Sequence, residues 1–144
     1  MKHSVNTLFF LLLFPLLAFQ LQAANLVTNG EFDDGLTGWG GWIDEASATV
    51  VVALDTDGAL SGANSMRLDV TEGSADVWRV QRNQRIQLIE GHTYQASFMA
   101  KASKDNVMIQ LSSQHDADPY DNHMNQTVYL TTEQQTFGPF TFQP

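Results

Sequence analysis

Tyr94-Gln95-Ala96-Ser97-Phe98-Met99-Ala100-Lys101 is the stretch whose reading decides the fold class. Tyr94, Ala96, Phe98 and Ala100 fall on one side of an extended chain; Gln95, Ser97, Met99 and Lys101 fall on the other. That two-residue period belongs to a strand with one wet face. Val107, Ile109 and Leu111 repeat it against Met108, Gln110 and Ser112. Working outward, Ser65–Val70 alternates in the same way, and Val77–Gln81 and Arg85–Leu88 do so less cleanly. Ala48–Leu54 is a β-branched run that reads as a buried strand, and Gln126–Thr131 and Thr136–Phe142 read as the last strands. Asp55–Gly58, Ser61–Asn64 and Glu90–His92 are turn clusters between them. After residue 24 no segment sustains a 3.6-residue apolar period. Short strands separated by turns predict an all-β protein, an antiparallel β-sandwich or jelly roll.

Residues 1–24 join a cationic start at Lys2 to an apolar core, Leu8–Leu21, that ends in Ala23-Ala24. The core is shorter than the ~20 apolar residues of a comfortable membrane span. It predicts a secretory signal peptide, cleaved to leave a secreted domain of residues 25–144 with no membrane attachment. The chain has no cysteine, so packing must hold this domain without disulfides. Its sixteen Asp and Glu all follow residue 24, whereas Lys2 precedes the domain and leaves it six of the seven Lys and Arg. An acidic balance of that size argues against nucleic acid or anionic lipid as partner.

The domain opens on Asn25-Leu-Val-Thr-Asn-Gly-Glu-Phe-Asp-Asp-Gly-Leu-Thr-Gly-Trp39, read here as the first edge of the sandwich. Asn29-Gly30 is a turn dipeptide, and Gly35 and Gly38 break the chain again before Trp39. This run resembles the N-terminal motif of the family 4 and family 9 carbohydrate-binding modules. The similarity continues through Val77-Trp-Arg-Val-Gln81, Gly91-His-Thr-Tyr94, Ser97–Ala102 and Gln126–Thr132. It implies a monomeric, non-catalytic module that binds β-glucan or xylan chains in a concave cleft and keeps a linked glycoside hydrolase near its substrate. It also implies one or two strands after Thr136–Phe142, so the chain is expected to stop before its sandwich closes. A structural calcium is implied as well, with Asp33 as its acidic ligand.

Trp78 is the first candidate for the cleft. A flat indole covers the C–H face of a sugar ring, and covering about half of the ~150–250 Å² of an aromatic side chain gives roughly 2–3 kcal/mol. Alternation with Val80 fits a core tryptophan as well, so periodicity alone leaves both readings open. Tyr120, after Pro119 in the polar stretch Gln114–His123, resembles a second aromatic wall. Gln81, Gln110, Gln114 and Gln126 carry amides that donate and accept at once, which suits sugar hydroxyls, and Arg79 adds a charged donor. Trp39 and Trp42, set among glycines, are read as core or rim packing.

His115, Asp116, Asp118, Asp121 and His123 lack the Gly and Glu positions of a calcium-binding EF-hand loop, and no nucleophile or phosphate-loop motif appears. Two further readings stay open: a calcium-stabilised extracellular adhesion or structural sandwich, and a catalytic jelly roll acting on polysaccharide. Whether Trp78 and Tyr120 face a shared groove separates the first of these from a binding module.

Overall fold

The computed structural model describes residues 23–144. All but the last two residues of the expected signal peptide lie outside that range. Eight strands follow one another as Gly40–Ile43 (β1), Thr49–Asp55 (β2), Ser65–Glu72 (β3), Val80–Asn83 (β4), Tyr94–Ala100 (β5), Val107–Gln114 (β6), Asn122–Leu130 (β7) and Gln135–Phe142 (β8). A 3-10 turn, Val77–Arg79, precedes β4. All pairing is antiparallel and nested twice: β1–β4 brackets the hairpin β2–β3, and β5–β8 brackets the hairpin β6–β7. The protein is an all-β antiparallel sandwich, as the alternation predicts.

Register follows the apolar pattern. Tyr94 lies opposite Phe142, Ala96 opposite Phe140 and Phe98 opposite Phe137. The face predicted for β5 is therefore matched by phenylalanines of β8, with ring centroids 5.8 Å apart for Tyr94–Phe142 and 5.2 Å for Phe98–Phe137. A bulge between Ala96 and Phe98 re-phases this ladder. It needs glycine at 138, where φ is +98° and a Cβ would stand 2.5 Å from the Ala96 carbonyl oxygen. In β6–β7, Val107, Ile109 and Leu111 sit on one face opposite Leu130, Val128 and Gln126.

Four sequence expectations are corrected. The Asn25–Trp39 run forms turns rather than an edge strand, because its side chains satisfy its own backbone in place of a ladder; the first strand begins at Gly40. Val77–Gln81 is not one strand: its first three residues curl into the 3-10 turn, and only Val80 and Gln81 enter β4. Arg85–Leu88 pairs with no strand. The Ala48–Leu54 run is buried only in part, because three consecutive valines cannot share one face of a pleat. Val50 and Val52 lie opposite Val70 and Leu68, whereas Val51 lies opposite Asp69 on the wet face and is exposed. That wet face carries Arg67, which pairs with both Asp69 and Asp55. Among the described residues the most buried apolar side chains are Ala48, Met124 and Leu130.

Candidate functional site

The N-terminal turns are organised around one side chain. Asn29 adopts φ 48°, a left-handed conformation that asparagine tolerates. Its amide nitrogen donates to the carbonyls of Gly35 (3.0 Å) and Thr37 (2.9 Å), and its amide oxygen accepts from the Asp34 N–H (3.1 Å). Its own carbonyl accepts from the Trp39 indole N–H at 3.1 Å. Trp39 packs on Phe32 with ring centroids 5.5 Å apart, and the Asn64 amide donates to the Phe32 carbonyl at 3.0 Å. Gln84, just past β4, both accepts from and donates to the Thr28 backbone. Trp39 is thus packing, as expected.

Trp42 is not. In the β1–β4 ladder it lies opposite Gln81, and glycine at 41 lets β1 approach closely, since a Cβ there would collide with the Gln81 carbonyl. The Trp42 ring runs parallel to that of Trp78, 2° between planes and 5.8 Å between centroids. Both indoles are about half exposed, 47% and 51%. A buried reading of Trp78 is excluded. What the structure builds is a double-indole surface open to solvent.

Polar groups behind the pair fix it. The Arg79 guanidinium lies 4.5 Å from the centre of the Trp78 ring, a cation–π contact. It also donates through Nε to Asp76 at 2.8 Å, and through one terminal nitrogen to Asp44 and to the Ser47 hydroxyl at 3.1 Å. The Ser47 hydroxyl and then Arg79 hold the Asp44 carboxyl below its usual range, while Asp76 and then Asp44 raise Arg79. Arg79 was expected as a partner for sugar hydroxyls. Two carboxylates instead make it a brace under Trp78. Gln81, also half-buried, donates from its amide to the Trp78 carbonyl at 2.6 Å, which leaves its amide oxygen unassigned.

The expected glutamines part company. Gln110 and Gln114 lie on one face of β6–β7 with Met108 and Ser112, opposite Tyr129, Thr127, Asn125 and Asn122. That face is an exposed strip of uncharged hydrogen-bonding side chains with an exposed aromatic, Tyr129, near one end. Gln126, opposite Leu111, belongs to the other face, with Met124, Val128 and Leu130. A bulge between Ser113 and Gln114 leads into the loop 115–121, where Tyr120 takes φ 57° and is 54% exposed. Two open depressions, about 280 and 560 Å³, are lined by Ile43, Ala48 and Val50 and by Thr28, Asn83 and Arg85. Neither is lined by Trp42, Trp78 or Tyr120.

Asp33 is exposed, and the described residues contain no group of three or more His, Asp or Glu able to hold a metal. Calcium takes six to eight oxygens. Here the nearby turn carbonyls of Gly35 and Thr37 already receive the Asn29 amide. Each of those carbonyls keeps a second lone pair, so Asp33 and turn carbonyls are the donors on which the implied calcium would draw.

Trp42 is the member of the site that sequence reasoning missed. A four-residue strand, Gly-Gly-Trp-Ile, is too short to display a period, and its only signal is an aromatic between flexible residues.

Exposed indoles beside a neutral amide suit the C–H faces and hydroxyls of a sugar. Residues 24–144 match the CBM_4_9 family, the carbohydrate binding domain. A solved structure described as "CBM4 structure and function" is 29% identical with a TM-score of 0.62, covering 80% of this chain and 77% of that one. No curated protein matches the chain. The chain belongs to the CBM_4_9 carbohydrate binding domain family, whose members bind carbohydrate and do no chemistry on it.

Proposed function

We propose that this module is secreted and holds a neutral β-linked glycan chain, a β-glucan or a xylan, keeping a linked glycoside hydrolase at its substrate. The Trp42–Trp78 surface is the platform and Tyr120 the opposing wall, with Gln81 and Gln114 meeting hydroxyls. The observation that carries this reading is the parallel, half-exposed indole pair. Each ring stacks on its neighbour and still leaves about half of itself in water, and a flat C–H face is what exposed indole area buries best. Stacking of roughly 2–3 kcal/mol and a few hydrogen bonds of about 1 kcal/mol each must offset the cost of immobilising a chain. The resulting dissociation constant falls between about millimolar and micromolar.

Affinity electrophoresis over laminarin, barley β-glucan and xylan tests the assignment. Trp78→Ala should weaken retardation on at least one of them about tenfold or more while leaving the melting temperature nearly unchanged. Wild-type retardation in Trp78→Ala on all three would move the glycan off this platform.

A further inference from the structure

The wet face of the β1–β4 ladder continues past the indoles. Trp42 lies opposite Gln81, and the next pair on the same face is Gly40 opposite Asn83. The two pairs are one pleat repeat apart, about 6.6 Å. The Asn83 amide sits on that face, since a Cβ on Gly40 would stand 3.2 Å from its Oδ1. Where residue 42 carries an indole, Gly40 therefore leaves a notch beside Asn83. The notch belongs to the larger depression, about 560 Å³, lined by Thr28, Gly38, Gly40, Asn83, Gln84 and Arg85.

The wall of this depression is fixed. Gln84 accepts from the Thr28 N–H at 3.1 Å and from its hydroxyl at 3.3 Å, and donates to the Thr28 carbonyl at 2.6 Å. Asn83 differs: it is exposed, and its amide makes no hydrogen bond among the described residues. Arg85, the charged residue of the lining, is paired with Asp116 at 2.6 Å. The remaining groups are neutral: a hydroxyl, amides and glycine backbone. An amide that donates and accepts at once matches neighbouring sugar hydroxyls, and glycine leaves room for a ring beside it.

We propose that this notch is a second subsite, taking the next sugar residue of a chain that lies on Trp42–Trp78, with Asn83 as its hydroxyl partner. This rests on the platform reading above and narrows its ligand. The module selects an extended neutral chain that reaches from the indoles to Asn83, not a single sugar. Gln81 and Asn83, on one face and one repeat apart, meet successive residues of that chain. Having no aromatic side chain, the notch adds affinity only to a ligand already anchored by stacking.

The test is calorimetric titration with cello-, laminari- and xylo-oligosaccharides from disaccharide to hexasaccharide. Wild-type affinity should climb with chain length in at least one series, with a step of about three- to tenfold where the ligand first reaches Asn83. Asn83→Ala should remove that step and leave the affinity for shorter ligands unchanged. Gly40→Val, which fills the notch with a side chain that strands accept, should do the same. Unchanged melting temperatures show that both variants fold, and Asn83→Ala decides the matter alone if Gly40→Val does not. A full climb in Asn83→Ala would overturn the subsite. So would a loss equal on short and long ligands, since Asn83 would then act through the platform. Trp78→Ala separates the two ideas. If it loses every length while Asn83→Ala keeps the climb, the subsite alone fails; if it binds like wild type, the platform fails and the subsite with it.

Discussion

The Asn29–Trp39 turns and the 115–121 loop are both irregular, both rich in oxygen-bearing side chains and both end near an aromatic residue, yet they are held in opposite ways. In the first, one amide gathers three backbone groups, the Trp39 indole returns a fourth bond, and Asn64 reaches in from a distant turn. In the second, two internal bonds shape the loop, and a single exposed ion pair attaches it to the rest of the chain. The dense motif that makes the family readable is scaffolding: it fixes the entry into β1, and so the position of Trp42. The sparse loop has the weak attachment typical of exposed connecting segments.

The largest expected effect falls on the scaffold. Asn29→Ala removes three hydrogen bonds of about 1 kcal/mol each and puts alanine in a left-handed conformation costing roughly 1–2 kcal/mol. Thermal unfolding should show a loss of roughly 4–5 kcal/mol, whereas Tyr120→Ala should stay within about 0.5 kcal/mol of wild type. Equal losses at the two sites would erase the distinction between them.

Acid should act next, on the brace beneath Trp78. Asp44 is held below its usual carboxylate value, so its contribution is present above a pH of about 4 and is lost as pH falls through the lower folded value. Glycan affinity and the fluorescence of the indole pair should therefore hold steady down to a pH of about 4 and change together below it. Asp44→Asn should show the acid-state fluorescence already at neutral pH. A flat profile in wild type would mean that Arg79 does not govern the platform.

Calcium should do least. Among the described residues no three His, Asp or Glu side chains are placed to hold one metal ion, so millimolar calcium is expected to leave the melting temperature of wild type and of Asp33→Ala alike. A rise that disappears in Asp33→Ala would restore a cation to the N-terminal turns and change the account of what stiffens them.

The sequence carried the strand faces of β5 and β6 in full, since a two-residue period is a local property and the β8 phenylalanines had to meet it. It misjudged Val77–Gln81, because alternation over five residues cannot distinguish a strand from a tight turn running into one. Gln114 and Gln126 looked equivalent; ladder register, which no single strand reveals, put them on opposite faces. Trp78 and Tyr120 were legible as exposed aromatics by analogy with the family. Trp42 was not, because it acquires meaning only from Trp78, a partner far away in the chain.

The central claim is that Trp42 and Trp78 act as one surface, and a double-mutant cycle measures that directly. Dissociation constants for the best-bound of the three polysaccharides would be determined for wild type, Trp42→Ala, Trp78→Ala and the double variant. The account predicts a loss of about tenfold or more for each single change and a double variant clearly better than the product of the two, since removing either ring already spoils the platform. Wild-type affinity in Trp42→Ala, or losses that simply multiply, would contradict it.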